Sequence, residues 1–403
     1  MELGPIWRAA MRNKTGVILI VTQIALTLAL MINGITIVQE RTRMMARPSG
    51  VDETNTFHLN SAGFSETFNA QVTAEEDLRA IRSTPGVASA IQMNAIPLSG
   101  GGWSMGLKTE PGDDLDSTGV AVYFVDEYGL DALGVELIAG ENFSTADVTW
   151  RQDGDTQWPD KTVLSRSMAE ALFPEDFYQA VGSTVYIGDD QPMTVVGIVD
   201  RLQAPWNGWD GVERSMLVPQ RTAFNGTRYF IRAEPDARDT LMPQIEQLLA
   251  ERNRERIIAG MQSMEDTRER SYRLDFVLIT ILLVIMSVLL AVTTLGVGGL
   301  TNFNVTRRTK EIGTRRALGA TRPAILRYFL VENLLFTSIG VVLGAVIAIG
   351  LNMLMVEAFN IPRMPWYLIP TGIVVFLVVG QLAVYFPARR AALVSPAVAT
   401  RTV

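Results

Sequence analysis

The sequence predicts a membrane protein with four transmembrane α-helices and a large α+β domain of two lobes, inserted between spans 1 and 2. Hydrophobic residues make up 48% of the 403 residues, a high share for a soluble chain, and the mean hydropathy is +0.19. The apolar residues are gathered into four runs, each long enough to cross a bilayer core of about 30 Å. Basic residues lie beside these runs, whereas the long segment between the first two is acidic.

Composition excludes several classes of function. The chain has no cysteine, so a disulfide framework, a cysteine zinc site and an iron–sulfur cluster are excluded. His58 is the only histidine, which rules out any mechanism that needs two. The net charge of −7 argues against a nucleic-acid partner, and the sequence contains no G-x-x-x-x-G-K-[ST] phosphate loop.

The first apolar run predicts transmembrane helix 1 over residues 17–39, after a cytosolic N-terminus at 1–16. Basic residues precede the run, as they do in a secretory signal peptide. The run is long for a signal sequence, however, and Gln39, Glu40 and Arg41 follow it without a small-residue cleavage site. We therefore expect an uncleaved membrane anchor.

Three further runs predict transmembrane helices at 274–303, 325–356 and 368–386. An even number of spans places both termini on one side, together with the segment between spans 2 and 3. These three segments and Arg327 carry 13 basic and two acidic residues, so the positive-inside rule makes them cytosolic. The remaining predicted segments are an outer domain at 40–273, a cytosolic loop at 304–324, a short outer loop at 357–367 and a cytosolic C-terminus at 387–403.

The outer domain carries 37 acidic and 21 basic residues, a net charge of −16 that favours a soluble surface. Helices alternate with short strands in its pattern, which predicts an α+β domain of two lobes. Thr73 is expected to cap a helix over 73–83. The other predicted elements are strands at 87–96, 120–125, 184–187, 193–199 and 230–233 and helices at 165–172 and 238–252.

Candidate chemistry in the outer domain is sparse. Gly100–Gly102 is followed by neither a lysine nor a helix start, so it is not a phosphate cradle. Asp113, Asp114 and Asp116 lack the glycine and the terminal glutamate of a calcium loop and are expected to be solvated. His58 lies in a strand-like stretch and is expected to be structural. We predict no catalytic residue and no metal site.

Trp206 and Trp209 lie in a polar loop that also contains proline and glycine. Exposed tryptophans in such a loop would suit contact with a partner protein or with lipid. Buried tryptophans would instead fill the junction between two lobes, and this second interpretation is favoured.

The segment between spans 2 and 3 is the most informative part of the chain. A short helix is predicted over residues 306–318, with Gly319 in the left-handed position after it. Ile312, Ala317 and Leu318 are expected to form its apolar contacts, and its arginines offer directional hydrogen bonds to carboxylates of a partner. Such a helix would transmit a push from a soluble subunit or bind lipid headgroups, and the residues alone favour neither.

Motifs in a fixed order along the chain indicate a family. The segment between spans 2 and 3 contains Thr306, Arg308, Glu311-Ile312-Gly313 and Arg316-Ala317-Leu318-Gly319-Ala320-Thr321. After the last span come Pro387-Ala388-Arg389-Arg390-Ala391-Ala392 and Ser395-Pro396. With the outer segments Tyr123–Phe143, Val163–Phe173 and Val195–Val199, these motifs resemble those of the MacB/FtsX/LolC-type ABC transporter permeases over nearly the whole chain.

This resemblance implies a pair of permeases, identical or related, that works with a dimer of cytosolic ABC ATPase subunits. No nucleotide-binding domain is expected in the chain, so a separate ATPase would bind ATP and Mg²⁺, and the permease would be non-catalytic and hold no cofactor. The ATPase-coupling residues would be Arg307, Arg308, Lys310, Glu311, Ile312, Gly313, Arg315, Arg316, Ala317, Leu318 and Gly319. Arg389 and Arg390 would form a further cytosolic contact.

By the same resemblance, the chain lies in a bacterial inner membrane among lipids, with porter-like and sabre-like lobes in the periplasm. The expected function is mechanotransmission: ATP hydrolysis moves the lobes and expels a periplasmic substrate through an adaptor protein and an outer-membrane channel. Lipoprotein release, as in LolC/LolE-type permeases, and regulation of a cell-wall hydrolase, as in FtsX-type chains, are the alternatives. The outer domain at 40–273 is much larger than those of FtsX-type chains, which disfavours the last.

Five residues inside the spans are predicted to serve packing. Gly340, Gly344 and Ala348 recur every four residues along span 3 and form a ridge for close helix contact. The ridge suits a dimer interface and packing within one subunit equally. Gly296 would allow a close approach or a bend in span 2. Glu332 is expected to form an ion pair or hydrogen bond with a neighbouring helix rather than a substrate site.

Overall fold

The computed structural model describes residues 14–112, 115–359 and 362–395. It forms two compact units, Ala46–Leu274, here called the inserted unit, and Met1–Met45 with Asp275–Val403, here called the membrane unit. Some residues that the sequence predictions used lie outside the described ones: Arg8, Arg12 and Arg401, which are among the basic residues counted at the two termini, the acidic residues Asp113 and Asp114, and Pro396 of the C-terminal motif.

Long helices alternate with a region of strands and short helices. The first elements are α1 (Lys14–Met45), β1 (Thr56–Gly63), α2 (Ala70–Arg82), β2 (Val87–Met93), β3 (Trp103–Lys108), β4 (Thr118–Val125), α3 (Gly129–Leu133), β5 (Leu137–Gly140), β6 (Thr149–Arg151), β7 (Lys161–Ser165) and α4 (Arg166–Leu172). The later elements are β8 (Thr184–Ile187), β9 (Gln191–Val199), β10 (Ser215–Thr222), β11 (Gly226–Ala233), α5 (Arg238–Arg252), β12 (Arg256–Ser263), α6 (Met264–Arg307), α7 (Thr309–Ala317), α8 (Arg322–Phe359) and α9 (Leu368–Ala392).

Within the described ranges, α1, α6, α8 and α9 have the length and hydropathy of membrane spans. This confirms the predicted class of four spans with a sheet-containing insertion. The helices are longer than the predicted apolar runs, because the polar residues that flank the runs continue the helix. At Pro387, where the predicted fourth span ends, α9 continues to Ala392. The proline removes one hydrogen bond without ending the helix.

The smaller sheet of the inserted unit has the strand order β12-β1-β11-β2, and all of its pairs are antiparallel. Helices α2 and α5 cover one face of this sheet. Leu78 and Ile81 of α2, Leu241 and Ile245 of α5 and Tyr229 of β11 are buried in one cluster. Burial of such side chains stabilises the lobe by about 25 cal/mol per Å² of apolar surface removed from water.

Helix α2 begins about one turn before the predicted start. Asn69, not Thr73, is its N-cap, and Asn69 Oδ1 accepts a hydrogen bond of 3.1 Å from the backbone N–H of Val72. Thr73 is buried inside the helix. Asparagine caps a helix at least as well as threonine, and alanine and glutamine follow it, so the helix begins at the earlier of the two candidate caps.

The larger sheet follows the order β4-β3-β8-β9-β7-β10-β6, and β5 joins it at β9. A further pairing of β4 with β10 closes the first six strands into a ring. The ring encloses a cluster that includes Val122, Phe124, Val185 and Val195. Closure pairs the edge strands with each other, so that their backbone N–H and C=O groups are satisfied.

A third cluster lies between the two sheets and joins the lobes. Ile91 and Phe230 of the smaller sheet share this cluster with Tyr123 of the larger sheet. Trp206 and Trp209 pack against it, with their ring centroids 6.2 Å apart in a T-shaped arrangement. The two tryptophans therefore occupy the lobe junction, as the favoured interpretation predicted.

Buried charges add two specific links within the inserted unit. Asp126 accepts hydrogen bonds of 2.6 Å from Arg82 of α2 and from Arg221 of β10, and so ties the lobes together. Asp77 of α2 pairs with Arg256 of β12, and their side chains are 2% and 0% exposed. The hydroxyl of Tyr229 donates a further hydrogen bond of 2.6 Å to Asp77.

In the membrane unit, α8 packs along both α1 and α9 around one apolar cluster. Helix α6 is more exposed and is held to α1 by polar contacts. The hydroxyls of Thr27 and Thr293 lie 2.9 Å apart, and Arg41 Nη1 lies 2.8 Å from Asp275 Oδ1. Most large apolar side chains of α6 are exposed, as at lipid-facing positions.

Candidate functional site

The site is built around α7, the helix that connects span α6 to span α8, here called the connecting helix. The prediction of a helix over 306–318 was wrong at its start, because α6 continues to Arg307 and the chain turns at Arg308. No glycine or proline interrupts the sequence from Phe303 to Arg307, so the span ends later than its apolar run. The structure therefore brings Arg308 to the joint between two helices.

The other end of the connecting helix has the predicted glycine stop. Gly319 has a φ of +97°, a conformation that a side chain at Cβ disfavours. The N–H of Ala320 donates to the carbonyl of Arg315 at 3.0 Å and closes the last turn. Thr321 Oγ1 then accepts a hydrogen bond of 3.3 Å from the N–H of Ala324 and caps α8. Four residues thus separate the connecting helix from the next span.

One apolar side chain anchors the connecting helix to the spans. Ile312 is 4% exposed and is buried in a cluster with Ile325 and Phe329 of α8 and Ala388 of α9. Gly313 beside it is also buried. Burial of an isoleucine side chain stabilises such a contact by about 1.5–3 kcal/mol. The connecting helix therefore contacts both later spans.

Two arginines reinforce this anchor by polar contacts. Arg308 Nη1 lies 3.1 Å from Glu332 Oε1, and the two side chains are 17% and 8% exposed. Arg316 Nη1 donates a hydrogen bond of 3.0 Å to the carbonyl of Ala392 at the end of α9. The sequence indicated that Glu332 binds a neighbouring helix but did not identify its partner, and the contact of Arg316 with a backbone carbonyl carried no sequence signal.

The opposite surface of the connecting helix is open. Arg307, Lys310, Glu311 and Arg315 are exposed, and Arg315 lies 5.0 Å from the ring centroid of Tyr328. The prediction that Ala317 and Leu318 make apolar contacts was wrong. Both are exposed, Leu318 to 84%, because the chain leaves the helix here toward Gly319. Arg389 and Arg390, in the last turn of α9, are exposed as well.

The small-residue ridge of α8 packs against α1 of the same chain. A Cβ atom on Gly344 would lie 2.8 Å from the carbonyl oxygen of Ala25, and one on Gly340 would lie 2.8 Å from the Ile24 side chain. Asn33 donates a hydrogen bond of 3.2 Å to the carbonyl of Ala348. Within one chain the ridge thus packs against α1, and its use as a dimer interface stays a prediction.

Two glycines give α6 its close approaches to other spans. A Cβ atom on Gly296 would lie 2.7 Å from Gln23 Oε1 of α1. One on Gly298 would lie 3.2 Å from the carbonyl oxygen of Ala383, the group that Pro387 leaves without its helical N–H donor. Gly296 therefore serves a close helix contact.

His58 is buried in the inserted unit. Its Nε2 lies 2.9 Å from Thr267 Oγ1. Burial, together with the charges of Arg228 and Arg270, lowers the pKa of His58 from 6.5 to about 4. The imidazole is therefore neutral at pH 7. Among the described residues, no group of three or more His, Cys, Asp or Glu side chains is placed to hold a metal ion, either at Asp116 or at the glycine loop Gly100–Gly102.

A four-span architecture with a large two-lobed insertion, and a short connecting helix fixed to two spans, defines a permease of the ABC transporter type. Residues 17–248 match the model of the MacB-like periplasmic core domain, and residues 283–396 match that of the FtsX-like permease C-terminal domain. The first match covers more than half of the chain, so the chain belongs to the MacB-like family of ABC transporter permeases. The resemblance seen in the sequence motifs is confirmed.

Curated relatives include the uncharacterized ABC transporter permease YknZ of Bacillus subtilis (strain 168), 28% identical over 59% of this chain and 61% of YknZ. The macrolide export ATP-binding/permease protein MacB of Azoarcus sp. (strain BH72) is 29% identical over 80% of this chain and 47% of MacB. The chain therefore spans about half the length of these relatives. Among solved structures, the periplasmic region of MacB from Actinobacillus actinomycetemcomitans aligns with a TM-score of 0.35 and 16% identity, over 57% of this chain and 97% of that one.

Proposed function

We propose that this chain is the non-catalytic permease subunit of a mechanotransmission-type ABC transporter. A dimer of cytosolic ABC ATPase subunits, in a separate polypeptide, docks on the connecting helix, binds ATP and Mg²⁺, and drives movement of the inserted unit. The movement expels a periplasmic substrate through an adaptor protein and an outer-membrane channel. The observation that carries this proposal is a connecting helix that is fixed to two spans on one side and open on the other.

The contacts of the connecting helix suit the transmission of force. A push on its open surface reaches α8 through Ile312 and the Arg308–Glu332 pair, and reaches α9 through Arg316. From α8 the push reaches α1, because α8 packs directly against α1 at Gly340 and Gly344. Packed helices of this kind move together.

The open surface also has the composition of a docking surface. Leu318 has an apolar side chain that is 84% exposed, and the basic residues Lys310 and Arg315 of the connecting helix and Arg307 at the end of α6 are exposed as well. An exposed apolar anchor with a charged rim is typical of protein–protein contacts. Since the positive-inside rule places basic segments in the cytosol, this end of the spans is cytosolic, both termini lie there, and the inserted unit is periplasmic in an inner membrane.

A crosslinking experiment tests the docking directly. The native chain has no cysteine, so a single Leu318→Cys substitution accepts a benzophenone maleimide at one defined position. The labelled permease is expressed with its neighbouring genes, irradiated in membranes, and the crosslinked protein is identified by mass spectrometry. We expect an ABC ATPase. The matched control is Trp366→Cys, since Trp366 is 81% exposed in the segment before α9, at the end of the spans away from the connecting helix.

The crosslinking experiment has outcomes that would contradict the docking proposal. If Leu318→Cys and Trp366→Cys give the same products, or neither gives an ATPase, the connecting helix is not the docking surface. Copurification with a second permease and an adaptor would support the efflux role and a paired permease. Recovery of a lipoprotein carrier or a cell-wall hydrolase in place of the adaptor would assign one of the two alternative roles instead.

A further inference from the structure

A cavity of about 420 Å³ lies within the inserted unit and is lined by residues from separate segments of the chain. His58 of β1 and Gln262 of β12 face each other across an antiparallel pair and form one wall. The loop after β2 contributes Leu98, the loop after β9 contributes Trp206, and the start of α6 contributes Arg270. The volume falls in the range of about 300–1,000 Å³ that is usual for small-molecule sites.

Two polar atoms of this wall are buried without a hydrogen-bond partner among the described residues: His58 Nδ1 and Gln262 Nε2. The His58 side chain belongs to a residue that is only 6% exposed. Thr267 Oγ1 donates its proton to the carbonyl of Ser263 at 2.8 Å, so it accepts from His58 Nε2–H. His58 Nδ1 is therefore an unprotonated acceptor, and the Gln262 amide is a donor. Buried polar groups are normally paired, and a ligand in the cavity would pair them.

The cavity has a cationic side and a flat apolar side. Arg270 is the only charged residue that lines it within the described part of the chain, and no lining residue there is acidic. Trp206 packs against the lobe-junction cluster, which fixes its ring. A tryptophan and an arginine in the lining of one cavity suit a ligand that carries a negative charge on a flat body.

Hydrogen bonds between the loop after β2 and the loop after β9 hold the cavity in shape without a ligand. The N–H of Gly100 donates a hydrogen bond of 2.9 Å to the carbonyl of Pro205, and the N–H of Leu98 donates one of 3.3 Å to the carbonyl of Ala204. Leu98 is buried and has a φ of +62°, which is an unfavourable conformation for leucine. Strained residues of this kind are concentrated at ligand-binding sites.

We propose that this cavity is a binding site for a small organic anion with a flat apolar body, whose charge pairs with Arg270, whose ring lies on Trp206, and whose O–H or N–H donates to His58 Nδ1. The Gln262 amide donates to an acceptor atom of the same ligand. This site lies in the inserted unit, outside the connecting helix and the membrane unit, so the inference is independent of the ATPase docking proposed above.

The test uses the full chain in lipid nanodiscs and two probes of the stated chemistry, 4-hydroxybenzoate and indole-3-acetate. Each probe is compared with its neutral amide by saturation-transfer NMR titration. Molecules of this size are expected to bind with a Kd on the order of 1 mM. We expect saturable binding of at least one carboxylate and binding at least tenfold weaker for its amide.

Variants locate the binding. Arg270→Gln should weaken binding of the carboxylate at least tenfold and remove the preference over the amide. Arg254→Gln is the matched control, because Arg254 is an exposed arginine of the same unit that does not line the cavity, and it should bind as the native chain does. The proposal is wrong if neither carboxylate binds saturably, if the amides bind equally well, or if both variants behave alike.

Discussion

Arg308 Nη1 lies 3.1 Å from Glu332 Oε1, so the residue that joins the second span to the connecting helix is paired with a carboxylate buried in the third span. The pair crosses between two elements that are separated by the turn at Gly319. It explains how a charged residue is accommodated within an apolar span, since a buried carboxylate needs a cation and hydrogen-bond donors. The pair fixes the position of the connecting helix relative to α8.

Removal of one partner of this pair should destabilise the protein more than removal of both. Arg308→Gln leaves the buried Glu332 carboxylate without this partner, and we expect a loss of about 1–3 kcal/mol. Glu332→Gln leaves the more exposed arginine and should cost less. The double variant should recover part of the loss, which a double-mutant cycle of thermal melts in detergent would measure. Strictly additive losses would show that the two charges do not interact.

The ridge of α8 should tolerate no added side chain at Gly344. A Cβ atom there would lie 2.8 Å from a backbone oxygen of Ala25, which cannot move aside. We expect Gly344→Ala to cost about 1–3 kcal/mol. Gly350→Ala on the same helix is the control, since no described atom lies within 4 Å of its Cβ position and alanine favours a helix. Thermal stability in detergent compares the two, and equal melting temperatures would contradict the packing of α8 on α1.

In the inserted unit, the buried pair Asp77–Arg256 should be far more sensitive than a neighbouring exposed pair. Arg256→Met leaves Asp77 buried and unpaired, and we expect a loss of about 3–5 kcal/mol. Arg252 and Glu76 lie 3.8 Å apart and are 40% and 57% exposed, so Arg252→Met should cost less than about 1 kcal/mol. Chemical denaturation followed by tryptophan fluorescence measures both, and similar losses would argue that burial does not set the cost.

His58 should make the inserted unit less stable as the pH falls. The pKa of His58 is lowered to about 4 in the folded chain from 6.5, so the unfolded chain binds more protons between these values. Stability is therefore fully present above pH 6.5 and is lost as the pH falls toward 4, by about 3 kcal/mol in all. His58→Gln should abolish this component.

The measurement for His58 is the free energy of unfolding of the native chain and of His58→Gln at pH 7 and at pH 4.5. Carboxylates titrate in the same range, but they contribute equally to both proteins and cancel in the difference. Because His58 is the only histidine, no other imidazole interferes. An unchanged difference between the two proteins at the two pH values would show that His58 is not buried in its neutral form.

Much of the fold follows from local patterns. The four apolar runs coincide with α1, α6, α8 and α9, the predicted helix at 238–252 has the bounds of α5, and the predicted hairpin is present as β8 and β9. These features depend on hydrophobic periodicity and turn residues, which short windows of sequence contain. The start of α2 and the start of the connecting helix were misplaced, because two caps competed in the first case and no breaker was present in the second.

The sequence predicted which residues form the candidate site, but not which of them are buried and which are exposed. Its motif identified which residues belong to the connecting helix, whereas the division between the anchored Ile312 and the exposed Leu318 depends on how α8 and α9 pack. The helix has a mixed pattern of apolar and basic residues on several faces. Periodicity alone therefore could not say which apolar residue is buried.

The sequence by itself determined the class of the protein: four spans, a large inserted domain, a basic connecting segment and the family to which these belong. Each of these depends on composition or on residues adjacent in the chain. Only the tertiary structure decided that Glu332 pairs with Arg308, that the glycine ridge of α8 meets α1, and that His58 and Gln262 line a cavity. These contacts join residues that are distant in sequence, and their partners are selected by packing and by the need to satisfy buried polar groups.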